Sequence, residues 1–470
     1  MGKRIPPELE EALSTDGGYS LLIKGAPGTG KTMLALEILR ESGANAVYIT
    51  TRVSPQALYG QFPWLRECIE PENLIEATKL YVNLDAFPAV HSFPEVLYAR
   101  LSKIKPATVV IDSWEAITSQ MDAERRESLE ATMIEAASHN KTKLILVSER
   151  LETSPLDYMV DGIVTLRRIT VDYRRARELE IEKLRGVRID QHKYAFTLEG
   201  GRFQCFEPFK RRKVEKQRKV EIIPHSQTHL STGIADLDKF IGGGFKRGSF
   251  NLINVSDGIS TLGYQSIIAH IIINSIQQGT HCVCVPCCGW NEHRLRREIL
   301  PFVREHDYYE YFTVFEIEGC SGARGAGEGE RKEERKGEHV KLLKGESIRE
   351  DLSEFGEFIA GLEPPVMVII GTDTLEYPYQ LKERRRVGEM VSLLSKLMAD
   401  MREVGNVCVF GVTPSLALRE SLAYMSEVCI KLTVLDKSVV LYCERPDTKL
   451  YCLENVITDE SLKIKLTAFV

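Results

Sequence analysis

A strand, a glycine-containing loop, a helix and a second strand follow one another twice in this chain, about 230 residues apart. Apolar periodicity predicts these elements in the first copy: strand 19–24, loop 25–32, helix 33–40 and strand 46–51. In the second copy they are strand 249–254, loop 255–261, a helix through Ile276 and strand 281–285. A repeat of this kind predicts two tandem α/β domains, each with a mostly parallel sheet covered by helices on both faces.

The loop of the first copy fits the pattern G-x-x-x-x-G-K-[ST] after a strand and before a helix. In such a P-loop, backbone N–H groups turn toward a β-phosphate at a helix N-terminus, which favours an anion. The lysine then reaches the β and γ phosphates, and the final hydroxyl is a ligand of Mg²⁺. We therefore expect ATP and Mg²⁺ at these residues: Gly25, Ala26, Pro27, Gly28, Thr29, Gly30, Lys31 and Thr32.

Two later residues are candidates for the same site. The predicted strand 108–112 ends in Asp112 at the carboxyl edge of the sheet, where ligands of doubly wound folds bind, so Asp112 is expected to join Thr32 at Mg²⁺. Ser148 closes the predicted strand 143–148 and is a candidate sensor of the γ-phosphate. The alternative for both is a residue that simply ends a strand.

These residues and several short motifs carry a family resemblance. The first copy resembles the RecA-like ATPase domain of the KaiC family, and the tandem arrangement is similar to archaeal gas-vesicle regulators of the GvpD type. The second copy resembles the same domain at its entry. The motifs are Tyr48 to Thr50, Thr51 to Pro55, Phe62 to Leu65, Ile111 to Ser113 and Lys183 to Gly186, then Ser231 to Asp238 and Ile241 to Gly244.

The resemblance implies roles for Lys183 and Arg185. In KaiC-like ATPases the matching lysine and arginine enter the nucleotide site of a neighbouring subunit, which implies a homo-oligomer. With Lys31 and Asp112 they complete the expected catalytic set. The alternative is that both side chains are only the outward face of one strand.

The chain departs from the family where catalysis is concerned. Two adjacent glutamates of the family, which orient the attacking water, are matched here by Arg52 and Val53. Such groups contribute roughly 10²- to 10⁴-fold to a rate, so we expect tight ATP binding with weak hydrolysis.

In the second copy Thr261 stands where the lysine belongs and Asp373 is the candidate counterpart of Asp112, so this domain is expected to be a pseudo-ATPase.

In the second copy, four cysteines lie at or near the positions of the family's two glutamates, and their number raises the question of a metal site. Cys282, Cys284, Cys287 and Cys288 lie within seven residues. Zinc is one interpretation. The other is core packing, because the first two share one face of an apolar strand and separated CxxC pairs are absent.

Charge is distributed unevenly along the chain. Residues 167–219 carry 17 basic and 8 acidic residues, so this segment is +9 and the rest is −15 within the total of −6. Such a segment is either a solvated face or a surface for an acidic protein partner or nucleic acid. Its dense clusters are Arg174, Arg175 and Arg177, then Lys210 to Lys213.

Composition and charge also set the expected domain organisation. We expect an ATP-binding domain at 1–202, a basic linker at 203–229 and a degenerate domain at 230–470. Residues 321–350 contain 8 basic residues, 7 glutamates and 6 glycines, which predicts a mobile charged insertion.

The cellular setting is inferred from the same sequence. Eleven scattered cysteines favour a reducing cytoplasm. No apolar stretch has the length of a signal peptide or membrane span, so no membrane association is expected.

We infer three candidate classes of function from these features. The first is an ATP-controlled regulator acting on a protein partner, which the GvpD resemblance implies is a transcriptional activator. The second is a working RecA-like ATPase that acts on nucleic acid. An autophosphorylating kinase is a third class, and it would need a competent second site.

Overall fold

The structure is a computed structural model that describes residues 4–41, 46–77, 108–119, 121–209, 219–256, 262–287, 289–318, 339–376, 378–381, 383–412, 417–457 and 461–470. The chain divides into two compact units. The first comprises residues 1–207 and 468–470, and the second comprises residues 208–467.

The first unit is built on a sheet that is parallel over most of its width. Its strands are β1 (Tyr19–Gly25), β2 (Ala46–Thr50), β3 (Leu74–Glu76), β4 (Thr108–Asp112), β5 (Lys143–Ser148), β6 (Gly162–Val171), β7 (Arg174–Leu184), β8 (Lys193–Thr197) and β9 (Gln204–Cys205). Its helices are α1 (Pro7–Leu13), α2 (Lys31–Glu41), α3 (Pro55–Gln61), α4 (Trp114–Thr118), α5 (Ala123–His139) and α6 (Pro155–Met159).

The strand order of this sheet is β3-β2-β4-β5-β1-β6-β7-β8-β9. The pairs from β3 to β6 are parallel, and β6 to β9 add an antiparallel extension. The carboxyl ends of β1, β2, β4 and β5 therefore lie side by side at one edge, where the P-loop begins.

Helices cover both faces of the first sheet because its central strands are apolar on both sides. On one face Leu21 and Ile23 of β1 pack in one cluster with Leu34 and Ile38 of α2. On the other face Leu22 belongs to a second cluster that includes residues of α4 and α5. Alternate residues of one strand thus enter two different cores, as burial on both faces of a parallel sheet requires.

The second unit repeats this architecture. Its strands are β10 (Lys219–Val220), β11 (His229–Leu230), β12 (Phe245–Lys246), β13 (Phe250–Val255), β14 (Cys282–Val285), β15 (Phe312–Ile317), β16 (Val340–Leu343), β17 (Met367–Gly371), β18 (Val407–Val412), β19 (Val428–Leu435), β20 (Ser438–Arg445), β21 (Tyr451–Ile457) and β22 (Ser461–Ala468). Its helices are α7 (Ala235–Phe240), α8 (Leu262–Gln277), α9 (Glu292–Ile299), α10 (Glu305–Tyr311), α11 (Ile348–Ala360), α12 (Asp373–Glu376), α13 (Arg384–Glu403) and α14 (Arg419–Met425).

The order of the large second sheet is β10-β22-β21-β20-β19-β13-β18-β17-β14-β15-β16. Read from β15 to β20, it matches β3-β2-β4-β5-β1-β6-β7 of the first sheet strand for strand. The expectation of tandem RecA-like α/β domains is confirmed.

Two predicted segments differ from what the structure shows. In the predicted linker 203–229, Phe203 and Cys205 are buried in the core of the first unit, and β10 pairs with β22 in the second. The predicted charged insertion 321–350 is wrong for residues 339–350, where β16 pairs with β15 and α11 begins at Ile348. Leu343 and Ile348 are buried in an apolar cluster, and charge counting overlooked these contacts. Residues 210–218 and 319–338 lie outside the described residues.

Across the described part of the chain, no helix combines the length and the apolar character needed to cross a membrane.

Candidate functional site

The P-loop connects β1 to α2 in a conformation that depends on glycine. Gly30 has a φ of +108°, and a Cβ built there would approach the Leu198 side chain at 3.1 Å. At Gly25 a Cβ would lie 2.7 Å from the carbonyl oxygen of Leu166. Larger residues would be strained or displaced at these positions, so the glycines let the backbone curl tightly at the sheet edge.

Lys31, the first residue of α2, lies over this loop. Its Nζ donates a hydrogen bond to the carbonyl oxygen of Ala26 at 3.1 Å, and the residue is 8% exposed. Burial lowers the pKa of Lys31, while the charges of Glu149, Asp112 and Glu115 act in the opposite direction. A partly desolvated ammonium of this kind gains most from an anion placed beside it.

Thr32 and Asp112 meet although 80 positions separate them in sequence. The Thr32 Oγ1 donates to Asp112 Oδ2 at 2.6 Å, and the Tyr48 hydroxyl donates to the same oxygen at 2.8 Å. Burial first, and then the charge of Asp112, raises the pKa of Tyr48 well above its usual value. Tyr48 therefore stays protonated and holds the carboxylate in place.

Ser148 contacts a carboxylate at this sheet edge, and its role at the γ-phosphate stays a prediction. Its hydroxyl donates to Glu115 Oε1, and its oxygen accepts from the backbone N–H of Arg150 at 3.1 Å. The single hydroxyl proton of Ser148 is thus directed to a carboxylate.

Lys183 and Arg185 both contact the end of α6 in their own chain. Lys183 Nζ donates to the carbonyl oxygens of Val160 at 2.6 Å and Asp157 at 3.0 Å. Arg185 forms an ion pair with Asp161 at 3.2 Å. These cations bind the carbonyls that a helix C-terminus leaves unpaired, and their role at a neighbouring subunit stays a prediction.

Arg177 is a P-loop contact that sequence reasoning assigned to a basic surface cluster. It is 7% exposed, and its Nη1 donates to the carbonyl oxygens of Gly28 and Thr29, both at 3.0 Å. Burial, reinforced by Arg175 and Arg168, lowers its pKa. In the sequence the available signal is its parity on β7, since residues two apart on a strand share a face and Leu179 is buried on that face.

We expect Arg177→Ala to weaken binding of a fluorescent ATP analogue about 10-fold. Two lost hydrogen bonds of about 1 kcal/mol each would loosen the loop, and about 1.4 kcal/mol corresponds to a tenfold change. The matched control is Arg175→Ala, because Arg175 is an exposed arginine two residues away on the same strand, next to the β6–β7 turn. Equal affinities of the two variants would contradict the role of Arg177, provided that thermal melting shows both to be folded.

Five basic side chains of the stretch form ion pairs in the part of it that the structure describes. The ion pairs of its basic side chains are Arg167 with Glu180, Arg185 with Asp161, Arg188 with Asp190, Lys193 with Glu178 and Arg202 with Glu37. Arg174 and Arg175 stand at the β6–β7 turn beside the fully exposed Tyr173. The described part of the stretch, residues 167–209, is therefore not a continuous positive surface, and Lys210 to Lys213 lie outside the described residues.

The second unit lacks the acid that the first carries at this strand end. Asp112 pairs with the next-to-last residue of β5, Val147, and the corresponding pair between β17 and β18 is Gly371 with Gly411. The predicted counterpart, Asp373, lies two residues later at the start of α12. The sequence comparison matched Asp373 with Asp112 because similar residues follow each of them. In the structure β4 ends at Asp112, whereas β17 ends two residues before Asp373.

An aromatic side chain fills the space above Gly411. A Cβ built on Gly411 would lie 1.9 Å from the Tyr264 hydroxyl oxygen, so the tyrosine of α8 rests directly against the strand end. Residues 257–261 of the second loop, Thr261 included, lie outside the described residues.

The cysteines of β14 are core residues. Cys282 and Cys284 pack in one apolar cluster, and burial raises the pKa of each thiol. Buried thiols of this kind resist becoming the thiolates that zinc requires. Within the described part of the chain no group of three metal-ligating residues is present, and Cys288 lies outside it.

Comparison with known proteins agrees with this geometry. Residues 8–207 match the family described as "ATPase: KaiC". Protein GvpD2 of Halobacterium salinarum is 28% identical over 304 residues, covering 60% of this chain and 61% of that protein. Protein GvpD1 of the same organism is 27% identical, covering 66% and 62%. The circadian clock oscillator protein KaiC of Picosynechococcus is 26% identical, covering 57% and 53%. The chain thus spans less than two thirds of these relatives.

Proposed function

We propose, from the premise that residues 8–207 form a KaiC-like ATPase domain, that this domain binds ATP and Mg²⁺ and acts as a nucleotide-controlled switch with slow hydrolysis. The observation that carries the proposal is the convergence of the P-loop lysine, Thr32 and Asp112 at one sheet edge. The KaiC-like family binds nucleotide with a divalent cation in general, and ATP with Mg²⁺ is the specific pair proposed here.

The residues present fit a hard divalent cation. The Thr32 hydroxyl and the Asp112 carboxylate supply oxygen donors 2.6 Å apart, and Mg²⁺ takes one or two protein oxygens together with phosphate oxygens. When bound, Mg²⁺ would offset negative charge on the β and γ phosphates. Lys31 would leave the Ala26 carbonyl for the phosphates, the loop N–H groups would hold the β-phosphate, and Tyr48 would keep Asp112 oriented.

Slow hydrolysis is proposed from the residue that stands at the family's water-orienting position. Arg52 carries a positive charge there and cannot accept a proton, so the family's own water-orienting pair, a contribution of roughly 10²- to 10⁴-fold, is missing from this loop and any replacement must come from another strand. Since typical enzymes turn over at about 1 to 10³ s⁻¹, we expect this domain to fall below about 1 s⁻¹.

The second domain is proposed to be a pseudo-ATPase with a structural or regulatory role. Gly371 stands where the first domain has its metal-binding acid, and Tyr264 packs against the neighbouring strand end. A nucleotide there would lack a carboxylate for its cation.

The switch is proposed to act in the cytoplasm on a protein partner, of the transcriptional-regulator class that the GvpD resemblance implies. Arg174 and Arg175 at the β6–β7 turn are the part of the basic stretch best placed for such a partner. Nucleic acid is the alternative partner, and the ion pairs that neutralise much of the stretch count against it.

The test is nucleotide stoichiometry together with turnover on the purified full chain. We expect one ATP analogue bound per chain, only with Mg²⁺ present, and turnover below about 1 s⁻¹. Two nucleotides per chain would exclude the pseudo-ATPase. Turnover that DNA stimulates and salt suppresses would favour the nucleic-acid ATPase instead.

A further inference from the structure

An ion pair crosses the site between two loops that each follow a strand. Arg52 lies just after β2 and Glu149 just after β5, so their pairing crosses the end of β4, where Asp112 stands. Arg52 Nη1 donates to Glu149 Oε1 at 2.6 Å and Nη2 donates to Oε2 at 3.0 Å. Two parallel hydrogen bonds fix the plane and the direction of a carboxylate.

Glu149 is held on its backbone side as well. Its N–H donates to Glu115 Oε2 at 3.2 Å, while Oε1 of the same carboxylate accepts from the Ser148 hydroxyl. Glu115 thus ties the start of this loop to α4, directly after Asp112. Hydrogen bonds to its side chain and from its backbone N–H thus both fix the position of Glu149.

The ion pair leaves Glu149 able to accept further hydrogen bonds. An ionised carboxylate has about four lone-pair sites, and the Arg52 guanidinium uses two of them. The Glu149 side chain is 29% exposed, so water reaches it. A water molecule can therefore bind to this carboxylate while Arg52 still holds it.

Glu149 also lies within electrostatic reach of the P-loop lysine. Among the charged groups that act on Lys31, Glu149 has the largest effect, ahead of Asp112 and Glu115. The sheet gives the same placement, because β5 lies next to β1 and Ser148 pairs with Lys24, so Glu149 follows the sheet edge beside Gly25, where the P-loop begins.

We propose that Glu149 is the carboxylate that orients the attacking water in the first domain and that Arg52 is its positioning residue. The inference rests on the proposed function, namely that this domain binds ATP. In the step, the water oxygen forms a bond to the γ-phosphorus as the bond to the β–γ bridging oxygen breaks. ADP takes the electron pair of that bond, and the proton of the water passes to Glu149 and then to solvent with phosphate.

The experiment compares ATP-analogue affinity with the rate of a single turnover in Glu149→Gln, Arg52→Ala, Arg52→Lys and the double variant Arg52→Ala with Glu149→Gln. We expect Glu149→Gln to slow the single turnover about 100-fold with affinity changed less than about threefold. Glutamine keeps the shape of the side chain but cannot take a proton. The control is Glu152→Gln, an exposed glutamate on the same loop, which should keep the wild-type rate.

Arg52 should act only through Glu149. We expect Arg52→Ala to slow the turnover about 10-fold, Arg52→Lys to recover part of the rate, and the double variant to match Glu149→Gln within about twofold. A wild-type rate in Glu149→Gln would overturn the inference, as would a full additional loss in the double variant. If the wild-type chain binds no ATP analogue at all, the proposed function itself fails, and that result is distinguishable from the others.

Discussion

Replacing Lys31 with alanine is expected to weaken ATP binding by at least about 100-fold and to remove measurable turnover. Two charge-assisted hydrogen bonds to phosphate, at about 1.5 kcal/mol each, are lost, and each 1.4 kcal/mol is a factor of ten in affinity. Arg177, which also contacts the loop, is engaged with the carbonyl oxygens of Gly28 and Thr29 and therefore does not replace the lysine at a phosphate.

The measurement is a titration with a fluorescent ATP analogue, supported by thermal melting at increasing ATP concentration. Ligand binding to the native state raises the melting temperature of the wild-type chain, whereas the Lys31→Ala protein should melt at one temperature throughout. Lys246→Ala, an exposed lysine of the second unit, is the control. Wild-type affinity in Lys31→Ala would place the nucleotide elsewhere.

Replacing Glu37 with alanine is expected to destabilise the first unit by about 3 kcal/mol, as removal of one partner from a buried ion-pair network does. The Glu37 carboxylate on α2 is fully buried and accepts from Arg202 at 2.6 Å and from Arg40 at 3.0 Å, with Arg4 at 3.8 Å. Without it these guanidinium groups converge with no anion between them. The arginines keep some contact with water, which holds the cost near the lower end of the usual range.

Thermal melting monitored by circular dichroism tests this expectation. For a unit of this size a loss of about 3 kcal/mol lowers the melting temperature by about 6 to 12 °C. Glu135→Ala, an exposed glutamate of α5, should leave it within about 1 °C, as surface substitutions usually do. An unchanged melting temperature in Glu37→Ala would show that the network contributes little. Because α2 also carries Lys31 and Thr32, weaker ATP binding should accompany the lost stability.

Local sequence was sufficient to locate the strands that frame the site. The predicted bounds of β4 and β5 coincide with the structure, and α2 begins two residues before its predicted start. An apolar run bounded by polar residues and glycine determines where such a strand or helix begins and ends, because these preferences depend on neighbouring residues only. The P-loop was equally readable, because its spacing encodes the local path of the backbone.

Contacts between distant segments were not readable in this way. The sequence marked Ser148 as a candidate γ-phosphate sensor and did not reveal that its hydroxyl donates to the Glu115 carboxylate of α4. Arg177 was counted as surface charge, although it binds carbonyls 148 and 149 positions away. A serine or an arginine suits either kind of contact, so residue type does not identify the partner. The partner is known only once the fold brings distant segments together.

The sequence by itself determined a strand, loop and helix that occur twice and one complete P-loop. These features are local, because the spacing of glycine, lysine and apolar residues specifies the backbone conformation of the same short segment. Only the tertiary structure decided which charges meet. The order β2-β4-β5-β1 places Arg52, Asp112, Glu149 and Lys31 at one edge of the first sheet. In the second unit the strand ends carry Gly371 and Gly411, and the ring of Tyr264 packs against the latter. Strand order is set by burial across the whole domain. The sequence thus indicated two similar folds and a second loop without its lysine, and packing showed in addition which residues stand at the strand ends.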